Sequence, residues 1–336
     1  MSQDRDANAM SETKEYFNVS TKNLERYDFA VEFRDVYVDF SPSTNDGKRT
    51  LEHAKLQNRH VAVVDVERNY AFAIVSQDYE IVSNARAVKL AEECFKAVFQ
   101  LTDGSQMRLF NVTMPSTRSQ CRIDFLHASS RSFITGSDPW APFIRVSNSY
   151  NRSRALKFDL GFCRGICSNG LIFGEESIEF KFSHSKGVSD TAAVKFKLKG
   201  GAFAMHEARF VEQVNNLSRF HVPRKMMWPL LAKTFGLTVP KPDAKPKALE
   251  NWELQRTHAA ILTERYFDEL EDTGYAALNV LTDYASRPPA VAFEQSRMHS
   301  LQTNCGVWMK SFTDALKSEK FNFKEYLGES YYALVP

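Results

Sequence analysis

The chain has no long apolar run. None of its hydrophobic stretches approaches the roughly 18 residues that span a bilayer, and the polar opening "MSQDRDANAMSETKEY" has no signal-peptide core. No membrane partner is expected, and a cytoplasmic protein is. Net charge is also scarce. The 43 Lys and Arg residues against 41 Asp and Glu leave a formal charge of +2, too little for the molecule as a whole to be drawn to nucleic acid or membrane. Any such attraction must be local. Cysteine is sparse and odd in number: Cys94, Cys121, Cys163, Cys167 and Cys305 are scattered, unlike the framework of a small secreted domain. Reduced thiols follow. There is no Walker-type loop, no dinucleotide fingerprint after a strand and no His-Glu-x-x-His, and no internal repeat.

What is present is a globular composition. A chain of 336 residues, 43% of them hydrophobic, can bury one large or two ordinary cores. Residues 1–25 are polar and without hydrophobic period, which reads as a flexible tail. From Tyr27 the pattern turns strand-like, and the two apolar runs around 61–66 and 70–76 join through Glu67, Arg68 and Asn69 as a hairpin. Ser83 or Asn84 can cap a helix whose apolar positions Val88, Ala91, Cys94, Phe95, Val98 and Phe99 fall at helical spacing. Short strands are expected near 107–113, 122–126 and 142–149, then a strand through "LKFDLGF" and another at "SIEFKFSH". A helix follows from Phe203. "GLTVPKPDAKPKALE" concentrates Pro and Lys as a linker does. The expected organisation is an α+β core domain over 26–236, a Pro/Lys-rich linker over 237–250 and a helical subdomain over 251–336. The fold class is α+β, with a hairpin-rich, mainly antiparallel sheet and flanking helices.

One passage concentrates chemistry: "NSYNRSRALKFDLGFCRGICSNG", Asn148 to Gly170. Cys163 and Cys167, with three residues between them, have a spacing seen in zinc sites, and His184 follows. In an extended strand, however, residues four apart stand about 13 Å from one another, and no second pair completes the four ligands of a structural site. No metal is therefore assigned. Cys167, beside Arg164 and before Ser168, Asn169 and Gly170, could be an activated thiol, but no base is selected by the sequence. The alternative is a cysteine under a hairpin whose Asn-Gly turn supplies left-handed backbone. Asp159, Glu175, Glu176 and Glu179 could hold magnesium as nucleases do, or form ordinary solvated surface. Asn279, Thr282 and Asp283 suit a network between helices. No cofactor is expected.

Local charge favours phosphate. Between Arg108 and Arg164 nine cations face only three acids, interleaved with aromatics. Surfaces that bind single strands combine cations along the backbone with rings on which bases stack. Strand alternation places Leu156, Phe158, Leu160 and Phe162 on a core face with Lys157 and Asp159 opposite. Tyr150, Arg152 and Arg154 in a polar turn and Arg145 on the preceding strand are then the expected exposed contacts. Asn148 and Arg164 complete the candidate nucleic-acid-binding set, with Arg suited to bidentate phosphate contacts.

"PFIRVSNSYNRSRALKFDLGFCRGICSNGLIFG", with "VAVVDVERNYAFAIVSQDYEIVSNARA" and "YAALNVLTDYAS", resembles the phage- and plasmid-like protein family known as domain of unknown function nine-three-two, over roughly Asn58 to Ala285. The matching positions are Asn148, Ser149, Tyr150, Ser153, Arg154, Ala155, Leu156, Gly161, Arg164, Cys167, Asn169 and Gly170; Cys163 is not among them. The resemblance implies origin in a phage, plasmid or integrated element and no established activity. By analogy it points to single-stranded DNA binding or annealing in replication or recombination, by a protein that oligomerises along the strand and needs no catalytic residues. The rivals are a metal-dependent nuclease and a protein-interaction factor in phage defence or counter-defence.

Overall fold

A computed structural model describes residues 28–39, 54–128, 132–135, 138–164, 170–172, 179–188, 191–192, 195–196, 203–241, 243–289 and 295–336. The N-terminal tail expected over 1–25 lies outside them. The fold is α+β. A three-stranded antiparallel sheet is made by β1 (Val31–Asp39), β2 (Ala54–Asp65) and β3 (Tyr70–Ser76), in that order. The β2–β3 turn is the expected hairpin: Asn69 takes φ 51°, and Asp65 Oδ1 accepts from Arg68 N at 3.1 Å.

The larger sheet contains β4 (Met107–Thr113), β5 (Gln120–His127), β6 (Ser132–Thr135), β7 (Asp138–Ser149), β8 (Leu156–Arg164), β9 (Gly170–Ile172) and β10 (Glu179–Phe182). Its order is β10-β8-β7-β5-β4, with β6 on β7 and β9 on β8. The pairs are antiparallel throughout. Cys163 faces Gly170 across the β8–β9 hairpin; the connecting residues, Cys167 and Asn169 among them, lie outside the described part.

Helix α1 (Asn84–Phe99) begins at Ser83, whose hydroxyl accepts from Arg86 N at 3.1 Å, a standard N-cap. It lays Leu90, Ala91, Cys94 and Phe95 on one sheet face, against Ile123, Phe125, Ile144, Val146, Phe158 and Leu160. This is the face that alternation assigns to Leu156 and Phe158, both without exposure. Cys94 is a core residue here, and burial drives its thiol pKa well up.

The rest of the chain is helical: α2 (Phe203–Arg219), α3 (Met227–Thr234), α4 (Pro246–Leu270), α5 (Gly274–Ser286), α6 (Gln295–Ala315), α7 (Phe323–Leu327) and α8 (Glu329–Tyr332). The expected linker is shorter than its composition suggests, because α4 starts inside it with Pro246 in the first turn, where a missing N–H costs nothing. Nor does that loop divide the core. One apolar cluster joins Trp140, Phe162 and Leu171 of the sheet to Phe210 before the loop and to Tyr266, Leu278 and Met309 after it. Phe162 and Phe210 stack at 4.1 Å and 5°, and Trp140 Nε1 donates to Tyr275 Oη at 2.8 Å. Helix α5 is buried along nearly its whole length. It approaches α2 so closely at Gly274 that a Cβ there would lie 2.9 Å from the Leu217 carbonyl oxygen. Among the described residues no helix is long and apolar enough to cross a membrane.

Candidate nucleic-acid interface

The face of the large sheet opposite α1 is polar over half its length. Antiparallel register sets Asp124, Arg145, Asp159 and Glu179 abreast on β5, β7, β8 and β10. Two residues along each strand, a second row runs Arg122, Ser147, Lys157 and Lys181. The first row holds one arginine among three acids; the second holds three cations and a hydroxyl. Lys181 is exposed and Lys157 half-buried, whereas Arg122 is buried. A cationic line thus runs from the outer strand into the molecule.

Helix α6 lies over this polar face. Gln302 Oε1 accepts from Arg145 Nη1 at 2.7 Å, and its Nε2 donates to Ser286 Oγ at 3.1 Å. His299 Nε2 stands 3.8 Å from Asp159 Oδ2, while Lys157 Nζ holds the other oxygen, Oδ1, at 2.8 Å. Burial is the main reason that His299 titrates as low as about 2; Arg145, Lys157, Arg122 and Arg154 add repulsion. Its imidazole is therefore neutral at physiological pH. Burial likewise lowers Arg122 to about 10, with Arg154 and Arg145 contributing. Burial also opposes the Arg145 charge, but the adjoining Asp124 carboxylate outweighs it and raises that pKa above its ordinary value.

The six expected contact residues separate into two groups. Arg152 and Arg154 do lie at the surface, in the β7–β8 turn. Arg152 is exposed with φ 61°, and Arg154 is half-buried with its Nε on Gln120 Oε1 at 3.1 Å. The turn is held from within, since Ser149 Oγ donates to Arg154 O at 2.7 Å and Asn151 Oδ1 accepts from Ser153 N at 3.1 Å.

The exposure expected of Arg145 and Tyr150 is corrected, and Asn148 and Arg164 are buried with them; all four are 1–2% exposed. Tyr150 packs between Phe29 and Phe72, with ring centroids at 5.6 and 5.4 Å, and its hydroxyl accepts from Asn84 N at 2.9 Å. Asn148 Nδ2 donates to Val82 O at 2.8 Å and Asn84 Oδ1 at 3.0 Å. Together they fasten the end of β7 to the start of α1. Arg145 closes a fork on Asp124. Arg164 reaches Glu269 Oε1 at 2.9 Å with its guanidinium over the Tyr266 ring, pinning β8 to α4. The physical reason is the width of the sheet: β7 and β8 are interior strands, and both their faces are covered.

Lys181, His299 and Gln302 were missed. For Lys181 the available signal was charge at alternate positions: Arg122/Asp124, Lys157/Asp159 and Glu179/Lys181 each repeat at a spacing of two, as charges on one strand face must; His299 and Gln302, on a helix far along the chain, had none.

The other sequence candidates fare as follows. Cys163 is buried, with its Sγ 3.6 Å from Arg164 O. His184 stacks on Tyr79 at 5.2 Å, with Nδ1 3.3 Å from Glu80 O. Among the described residues no group of three or more His, Cys, Asp or Glu is placed to hold a metal. Cys167, Glu175 and Glu176 lie outside them. Asp283 accepts from Tyr266 Oη of α4 at 2.7 Å and from Arg287 Nε at 2.8 Å, so it joins α4 to α5, whereas Asn279 Nδ2 donates to Tyr275 O at 2.9 Å and Thr282 Oγ1 to Asn279 O at 3.2 Å within α5 itself. The Tyr266 and Arg287 bonds hold the Asp283 carboxyl below its ordinary pKa against the opposing effect of burial, which is the largest influence on it.

No curated protein and no solved structure matches the chain. A family model does match, over residues 71–304, from the start of β3 through the His299 and Gln302 turns of α6. With most of its length inside that model, the chain belongs to the family described as Domain of unknown function (DUF932).

Proposed function

We propose that this protein binds single-stranded DNA with little sequence preference, in the replication or recombination of a phage, plasmid or integrated element. The observation that supports this reading is the row Arg122, Ser147, Lys157 and Lys181, in register across four strands. Near its inner end, Gln120 on the same strand as Arg122 accepts from Arg154 Nε in the exposed β7–β8 turn. Lys181 is the exposed member of the row; with Arg152 and Arg154 of the turn it replaces the buried Arg145 and Arg164 as phosphate contacts. Rings suited to stacking stand on the small sheet: Tyr70 is 50% and Tyr37 57% exposed. Tyr70 adjoins the β2–β3 turn, where Arg68 Nη1 reaches Ser116 O in the loop that leads into β5. An exposed ring and an exposed cation two residues apart, Tyr70 and Arg68, suit a strand whose bases are free to stack. Binding of this kind needs no catalytic residue, and assembly of several copies along one strand is part of the proposal.

Fluorescence anisotropy of labelled single-stranded and duplex oligonucleotides, titrated at two salt concentrations, tests it. The expected result is tighter binding to the single strand that weakens steeply with salt, as counterion release demands. Absence of binding at low salt would overturn the reading. Running the products on a gel with and without magnesium would reveal cleavage, which belongs to the nuclease rival.

A further inference from the structure

A cavity of about 310 Å³ opens between the polar sheet face and helices α5 and α6. Its apolar wall is made by Phe110, Phe143 and Met298, and its polar wall by Asn111, Ser286 and Gln302. Two guanidinium groups reach it, Arg145 and Arg287, and each is already clamped by a carboxylate. Arg145 makes its fork on Asp124 at 2.6 and 2.7 Å. Arg287 does the same on Asp283, at 2.8 and 2.7 Å. A ligand bearing a full charge would therefore be buried without a counter-charge, which is costly.

The hydrogen-bonding capacity that remains is neutral and two-sided. Ser286 Oγ accepts from Gln302 Nε2 at 3.1 Å and from Gly170 N at 3.3 Å, so its own hydrogen is left to donate. Asn111 Nδ2 makes only contacts of 3.5 Å, to Thr113 Oγ1 and Asp124 Oδ2, and its amide can offer both a donor and an acceptor. A donor and an acceptor beside flat, apolar walls match a nucleobase, which carries both along its edge and stacks through its faces. The volume lies at the low end of small-ligand pockets, roughly 300–1,000 Å³, enough for one base or nucleoside. The mouth faces solvent at Arg287, whose side chain is 50% exposed. The floor is fixed, because a Cβ at Gly161 would meet the Phe143 ring at 2.7 Å and the Leu171 carbonyl oxygen at 2.3 Å.

We propose that this cavity binds a single nucleobase, supplied either by a free nucleoside or by a base splayed out of a strand. The free-nucleoside arm of the test does not depend on strand binding, so the two readings can fail separately. The experiment is ligand-observed saturation-transfer NMR on the full chain with the common nucleosides, and in parallel with a short oligonucleotide. Transfer is expected to be strongest at the base protons and weaker at the ribose. Met298→Trp, which fills the mouth from a half-buried helix position, and Asn111→Leu, which removes the amide at similar volume, should each weaken binding about tenfold or more, the usual range for losing a good hydrogen-bonding or stacking contact. Transfer to nucleosides alone assigns a free ligand, and transfer only within the strand assigns a splayed base. Absence of transfer in both arms, or equal transfer in both variants, would overturn the proposal.

Discussion

Arg145 and Asp124 occupy facing positions on neighbouring interior strands and close a fork of two hydrogen bonds, 2.6 and 2.7 Å long, with 2% and 3% of the residues exposed. The pair is completed by Gln302 from α6. It fixes helix to sheet, and every part of it is committed to a partner within the chain.

Arg145→Leu should therefore act on the fold and leave the surface chemistry alone. Removing one member of a buried pair strands the other charge and costs about 3–5 kcal/mol. The double replacement Asp124→Leu with Arg145→Met should recover most of that loss, because two apolar side chains leave nothing unpaired. Urea unfolding of Arg145→Met and Asp124→Leu singly and of their combination measures it; additive losses would show that the pair is not coupled.

Tyr150 gives the same contrast with a smaller change. Tyr150→Phe keeps the ring between Phe29 and Phe72 and removes the acceptor of the buried Asn84 N–H. An orphaned buried donor costs about 1–3 kcal/mol. The unfolding midpoint should fall, and affinity for single strands at low salt should stay within error of the unsubstituted protein.

Arg152→Ala with Lys181→Ala should do the reverse. Both residues are exposed, so stability should hold. Each lost phosphate contact on a single strand should flatten the plot of log affinity against log salt by roughly 0.7. Anisotropy across a salt series reads the slope, and an unchanged slope in the folded double variant would remove the turn and the outer strand from the interface.

What could be read from the sequence follows the range of each signal. Hairpin β2–β3, the Ser83 cap and the core face of β8 rest on neighbours a few residues apart, and each was legible. The burial of Tyr150, Asn148 and Arg145 depends on Phe29, Asn84 and Gln302, partners between 64 and more than 150 positions away. No local pattern distinguishes an arginine awaiting phosphate from one already holding an aspartate on the next strand. The surface position of Arg152 and Arg154 was legible because both sit in a turn, where polarity alone predicts exposure.

Gly161 offers a test of the floor beneath the cavity. It sits opposite Phe143 on β7, and the contacts a Cβ would make there are with backbone and a packed ring, neither of which can retreat. Gly161→Ala should destabilise by about 1–3 kcal/mol or more through overpacking. It should also displace Phe143, so nucleoside binding should fall even under conditions where the variant remains folded.

His299 supplies a pH dependence whose sign can be worked out. Its imidazole is held neutral down to about pH 2 in the folded chain, against an ordinary value of 6.5. Between those limits the unfolded chain binds a proton that the folded chain refuses, so stability rises with pH there. The contribution is whole above pH 6.5 and is lost progressively as the pH falls towards 2, by at most about 1.4 kcal/mol per pH unit. His127 and His184 are also lowered by burial, so the unsubstituted protein alone cannot isolate the effect. The comparison that does is His299→Gln, which keeps a polar group over Asp159 and cannot titrate. Unfolding free energies at pH 7, 6, 5 and 4 should diverge below pH 6.5, the variant losing less at each step. Parallel curves would mean that His299 takes up its proton equally in the folded and unfolded chains, and it would then have to be less buried than it stands here.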